Sequence, residues 1–137
     1  MRDLYRNILV SQPLSPAAVS TTQTSASVDL QGYNSTNIVF SIGLSAATLS
    51  VSVYWTLKLT HSDDNSTFTD VALTDLNNTA LNVVIDASTK DRTVYGFGYM
   101  GNKRYLRAVA TPTGTHAGAT PIGVVALRSE AAYQPVN

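Results

Sequence analysis

Hydrophobic and polar residues alternate most regularly from Trp55 onward: Trp55, Leu57 and Leu59 occupy every second position, with Thr56, Lys58 and Thr60 between them. A period of two marks a half-buried strand. The run Ser62-Asp63-Asp64-Asn65-Ser66 follows, and its side chains hydrogen-bond their own backbone and tolerate left-handed conformations. The chain can therefore reverse there before Phe68 and Val71 resume the apolar series. The pattern predicts a β-hairpin over Val53–Val71, with Trp55, Leu57 and Leu59 facing Phe68 and Val71 across a core.

Similar patterns recur along the chain. Leu4–Val10 reads as a short strand or extended arm, and the prolines of Ser11–Pro16 deny a helix, so Gln12–Thr24 reads as a linker. Ser27–Leu30 ends at a Gln31–Asn34 turn, and Asn37–Gly43 is a more deeply buried strand with which it is a candidate to pair. Leu44–Leu49 reads as a loop, Ala80–Ile85 as a strand and Asp86–Asp91 as a polar connection. Arg92–Tyr99 places Tyr95, Phe97 and Tyr99 on one face and Gly96 and Gly98 on the other, which signals a bulge or a close neighbour. Met100–Lys103 reads as a hairpin turn into Arg104–Thr111, and a loop leads to a last buried strand at Ile122–Leu127.

Roughly eight or nine short strands with almost no helical periodicity predict an all-β fold, an antiparallel β-sandwich of jelly-roll or immunoglobulin-like kind. The expected organisation is an N-terminal arm and linker over 1–24, the sandwich over 25–128 and a C-terminal tail over 129–137. Arms of this composition fray unless something holds them, so both are expected to lie against other chains.

Composition narrows the function classes. At 137 residues one domain with a substantial core is the default. Charged residues make up 13% of the chain, against an ordinary fraction of about 25%, so hydroxyls and amides carry the solubility. Nine basic residues balance nine acidic ones, which removes the long-range positive field of a nucleic-acid or anionic-membrane binder. There is no cysteine, so disulfides and thiol chemistry are excluded. No stretch approaches the roughly 20 apolar residues of a membrane helix, the first residues do not form a signal peptide, and synthesis in a cytoplasm is the expectation. The Asn-x-Ser/Thr triplets at Asn34, Asn65 and Asn77 then read as turn chemistry rather than glycan sites.

Several residues are candidates for chemistry. His61, Ser62, Asp63 and Asp64 hold the side-chain types of a hydrolytic site, but neighbouring strand residues point to opposite faces, and no enzyme activity or cofactor is expected. Asp63, Asp64 and Asp70 are the metal candidates, since calcium takes about six to eight oxygens from a loop. The EF-hand order is missing, however, and a solvated turn accounts for the same residues. Tyr95, Phe97 and Tyr99, with Tyr105 and Trp55, are a possible sugar-stacking row, although core packing is the expectation for most of them. Lys103, Arg104 and Arg107 form the one basic cluster, suited to an acidic patch on a partner or to a solvated hairpin edge.

Three stretches carry a family likeness: Asp29-Leu30-Gln31-Gly32-Tyr33 before a buried strand, Leu57 through Val71, and Tyr99 through Arg107. In this combination the chain resembles the small virion proteins of tailed bacteriophages. The resemblance covers Asp29 to Leu127 and implies a non-enzymatic part of the capsid surface with no catalytic residues to carry over. The expected role is a decoration, or cement, protein bound to the major capsid protein as a homo-oligomer, with a trimer as one closed form. Its terminal arms would contact neighbouring subunits. The base of a head spike or fibre at capsid vertices, and a carbohydrate-binding module for adhesion to host surfaces, are the alternatives. The partner-binding candidates are Leu4, Tyr5 and Ile8 in the first arm, Tyr133 in the tail, and Lys103, Arg104 and Arg107 on the basic edge.

Overall fold

In the computed structural model the chain is described from Asp3 to Tyr133. Its strands, in chain order, are β1 (Ile8–Val19), β2 (Gln23–Thr24), β3 (Val28–Asp29), β4 (Tyr33–Ile42), β5 (Tyr54–Ser62), β6 (Thr69–Asp70), β7 (Val83–Ile85), β8 (Thr93–Tyr99), β9 (Tyr105–Thr113) and β10 (Thr120–Ala131). They form two antiparallel sheets. The first runs β1-β10-β4-β8, and in the second β9 and β5 lie side by side, with β2 and β3 on the far edge of β9 and β6 and β7 on the far edge of β5.

The pairing is nested. The first strand pairs with the last, β2 and β3 with β9, β4 with β8, and β5 with β6 and β7. This is the winding of a jelly roll, a long antiparallel ribbon folded back on itself, and it decides between the two sandwich types that the strand pattern left open.

The core lies between the sheets and is supplied by alternate residues. Trp55, Leu57 and Leu59 of β5, Leu106, Ala108 and Ala110 of β9, Ile38, Phe40 and Ile42 of β4, and Ile122, Val124 and Ala126 of β10 are all buried. Phe97 meets Phe40 edge-on, with ring centroids 5.5 Å apart. The Trp55 indole N–H donates to the buried Thr120 hydroxyl at 3.1 Å, so its polar tip is satisfied inside the core.

Five local expectations change. Residues from Gln12 onward form no linker: β1 is a 12-residue strand reaching Val19, and the sandwich therefore begins at Ile8 rather than near 25. Pro13 and Pro16 fit because β1 is a sheet edge, where a missing N–H costs no ladder bond, and both fall at irregularities in the pairing, between Ser11 and Leu14 and between Leu14 and Ala17. Ser27–Leu30 does not pair with Asn37–Gly43, since β3 joins β9 and β4 joins β10 and β8. Met100–Lys103 is a crossover between sheets and not a hairpin, because β8 belongs to the first sheet and β9 to the second. Phe68 stays out of the core, half-buried beneath the Arg107 guanidinium at 3.9 Å. At the C-terminal end β10 continues through Ala131, beyond the expected boundary at 128, and the tail from Gln134 lies outside the described residues.

Gly96 and Gly98 have close neighbours. Beside them Asn78 acts as a substitute strand: its amide donates to the Gly96 carbonyl at 3.0 Å and its Oδ1 accepts the Gly98 N–H at 3.0 Å. This side chain closes part of the open edge of β8.

Candidate functional site

Two of the three stretches that carry the family likeness, the one ending at Tyr33 and the one beginning at Tyr99, line a cleft of about 410 Å³ at one end of the sandwich, and the third reaches it through Asp63 and His61. One wall is the β3–β4 turn. There the Leu30 carbonyl accepts the Tyr33 N–H at 3.0 Å and Gly32 sits at φ +86°, a conformation that suits glycine at the third position of a type II turn. The Asp29 carboxylate accepts the Gln31 N–H at 2.9 Å and fixes the start of the turn. The other wall is the β8–β9 crossover, in which Gly101 packs so tightly on the Tyr99 ring that a Cβ would overlap the hydroxyl.

Charge pairs tie these walls to each other and to the turn after β5. Arg104 makes two hydrogen bonds to Asp29, at 2.9 and 2.7 Å, and the Lys103 ammonium meets Asp63 at 3.0 Å. The Arg104 hydrogen bond holds the Asp29 carboxyl below its ordinary range, and Asp29 raises Arg104 in turn. Beneath them the Tyr99 hydroxyl accepts the Lys103 N–H at 3.2 Å and lies 2.9 Å from His61 Nδ1. Burial, assisted by the Lys103 charge, lowers the His61 pKa, and burial raises that of Tyr99.

The residues that suggested hydrolysis are engaged otherwise. His61 faces Tyr99, while the buried Ser62 donates to Asp64 at 2.7 Å. Asp64 also accepts the Ser66 and Thr67 N–H groups at 2.9 Å each, which with the Ser62 bond lowers its pKa to about 2. Asn65 takes a left-handed φ of +57° in this turn. The three metal candidates do not converge: Asp64 ties the turn, Asp63 meets Lys103, and Asp70 pairs with Lys58 at 2.8 Å. Among the described residues no group of three or more His, Cys, Asp or Glu side chains is placed to hold a metal ion.

The aromatic row is mostly core. Trp55, Phe97 and Tyr99 are buried and Tyr95 packs against the core, so these rings offer no open stacking platform. Tyr105, half-buried on the outer face, lies under Arg104 at 4.9 Å.

The arm candidates sit elsewhere. Leu4 and Tyr5 are 63% and 76% exposed and, with Ile8, Val10 and Leu127, line an apolar hollow of about 490 Å³ at the start of β1. Asp3 starts a turn there by accepting the Arg6 N–H at 3.2 Å, and the Leu4 carbonyl accepts the Ile8 N–H at 3.0 Å. Tyr133 is 91% exposed. Lys103 and Arg104 belong to the cleft, and Arg107, stacked on Phe68, lies on the outer face of the second sheet; the three do not act as one basic patch.

Sequence reasoning missed Val10 and Leu127, whose partnership depends on a register between the chain's two ends, Val10 opposite Leu127. It also missed Gln31, Asn34 and Asn102, which line the cleft. Their one visible signal was amides in two turn segments with no strand role.

Comparisons with protein families and with curated proteins each return no match. Among solved structures the chain is similar to part of the dimeric latent PorU from Porphyromonas gingivalis, with a TM-score of 0.44 and 10% identity. The likeness covers 94% of this chain and 12% of the PorU chain.

Proposed function

We propose that this chain is a non-enzymatic virion structural protein of tailed-phage type, which decorates the capsid by docking on the major capsid protein. The observation that carries the reading is the distribution of charge and apolar surface over the first sheet. β1, β4 and β8 contain no charged residue, and β10 contains only Arg128 and Glu130. At the edge of that sheet Leu4, Tyr5 and Val10, each more than half exposed, cluster around one hollow. Contiguous exposed apolar groups rimmed by polar surface mark interaction sites, and a neutral face can approach a dense lattice without like-charge repulsion. The jelly-roll winding supports the reading by analogy alone, since viral capsid domains share it with unrelated proteins.

In this reading the Leu4–Val10 segment contacts a neighbouring subunit while the sheet rests on the lattice, and many weak contacts sum to firm attachment. A closed homo-oligomer, for instance a trimer, is part of the same proposal. The test is occupancy on purified particles lacking the protein. A variant without Met1–Asn7 and a Val10→Lys variant are expected to fold and to lose binding, and full occupancy by both would refute the docking surface. Hundreds of copies per particle would favour decoration, whereas about a dozen sets would favour the base of a spike or fibre at the vertices.

A further inference from the structure

We infer that the cleft between the β3–β4 turn and the β8–β9 crossover is a binding site for a neutral saccharide, separate from the docking surface. It shares no lining residue with the hollow at the start of β1.

Three features select the ligand class. The first is charge: both cations lining the cleft are already matched, Lys103 by Asp63 and Arg104 by Asp29. A phosphate or carboxylate would have to displace those partners, whereas an uncharged ligand leaves them in place. The second is the amides. The side chains of Gln31, Asn34 and Asn102 line the cleft and make no hydrogen bond to any described residue. Each amide presents a donor and an acceptor side by side, which matches the alternating donor and acceptor character of neighbouring sugar hydroxyls. The third is the apolar lining. Leu30, Met100 and the Tyr33 ring supply surface for the C–H faces of a pyranose, and Arg128, at 5.0 Å, braces the Tyr33 ring. A mostly preformed concavity with a few placed polar groups is the usual form of a small-ligand site.

The volume of about 410 Å³ suits two or three sugar units. The cleft is also braced before any ligand arrives. The Asp29–Arg104 and Asp63–Lys103 pairs and the Tyr99 hydroxyl tie its two walls to the second sheet, so little ordering cost remains for binding. This site differs from the aromatic platform considered from the sequence, whose rings lie mostly in the core.

The experiment is an amide-resolved NMR titration of the full chain with maltotriose, cellotriose, mannotriose and chitotriose, each to about 10 mM, where a millimolar Kd is measurable. At least one is expected to shift the Gln31, Asn34, Asn102 and Lys103 resonances in a saturable way. Asn102→Ala and Asn34→Ala, at exposed side chains that bond no other described residue, are expected to keep the spectrum of the folded chain and to weaken binding by about tenfold. Absence of shifts with all four sugars, shifts centred away from the cleft, or tighter binding of inorganic phosphate than of any sugar would each overturn the inference. Capsid occupancy of the two Asn variants is expected to stay at the wild-type level, so failure of the saccharide site and failure of the docking reading are distinguishable.

Discussion

Arg104 grips Asp29 across 75 positions of sequence, with Nε on one carboxylate oxygen at 2.9 Å and a terminal guanidinium nitrogen on the other at 2.7 Å. The two parallel bonds lock the β3–β4 turn to the start of β9 and so hold one wall of the cleft against the second sheet. Both side chains are 44% exposed, and solvent screening limits what such a pair contributes. A double-mutant cycle with Asp29→Asn and Arg104→Gln, read by urea denaturation, is expected to give a small favourable coupling that weakens as salt is added. Arg104→Lys should lose most of it, because an ammonium cannot make the fork. The depressed Asp29 pKa places this contribution above the ordinary carboxylate range, and it disappears as pH falls through the folded value.

His61 sets a second pH dependence, of opposite chemical origin. Its folded pKa lies below 6.5 because burial disfavours the imidazolium. In the window between the folded value and 6.5 the unfolded chain binds the proton more tightly, so stability rises with pH and is lost as pH falls through that window. His61→Gln, which cannot take up the proton, should flatten the curve of denaturation midpoint against pH from about 7 down to about 5. An unchanged slope in the variant would assign the dependence to another group.

Trp55 and Thr120 form a polar contact inside the core. Thr120→Val keeps the shape but strands the buried indole N–H, at an expected cost of about 1 to 3 kcal/mol. Trp55→Ala also opens a cavity, and about 3 to 5 kcal/mol is expected. With Trp55→Phe as background, Thr120→Val should cost less, because the indole N–H is gone and only the 2.9 Å contact between the Ser45 and Thr120 hydroxyls is lost. Chemical denaturation of the three variants and the double variant checks the set.

The N-terminal segment divides into two parts with different roles. Removing Met1–Asn7 takes away the exposed Leu4 and Tyr5 but no strand, and the unfolding free energy should change by about 0.5 kcal/mol or less. Removing residues 1–19 strips β1 from β10 along the whole ladder and takes away Leu14 and Val19, which pack on the core. That truncation should lose its cooperative thermal transition, as followed by circular dichroism.

What the sequence determined by itself is local. Alternation at Trp55, Leu57 and Leu59, and again at Tyr95, Phe97 and Tyr99, named strands and their inward faces, because side-chain direction along an extended chain has a period of two whatever the partner. The Ser62–Ser66 reversal was legible for a similar reason: Asp64 and Asn65 do their work within a few residues. The tertiary structure decided which strands are neighbours. Alternation is identical whether β3 pairs with β4 or with β9, and whether Met100–Lys103 closes a hairpin or crosses between sheets. Prolines that forbid an interior strand are admitted on an edge, and only the fold shows that β1 is one. The cleft was illegible for the same reason, since Gln31, Asn34 and Asn102 become neighbours only when the nested winding brings two distant turns to one end of the sandwich.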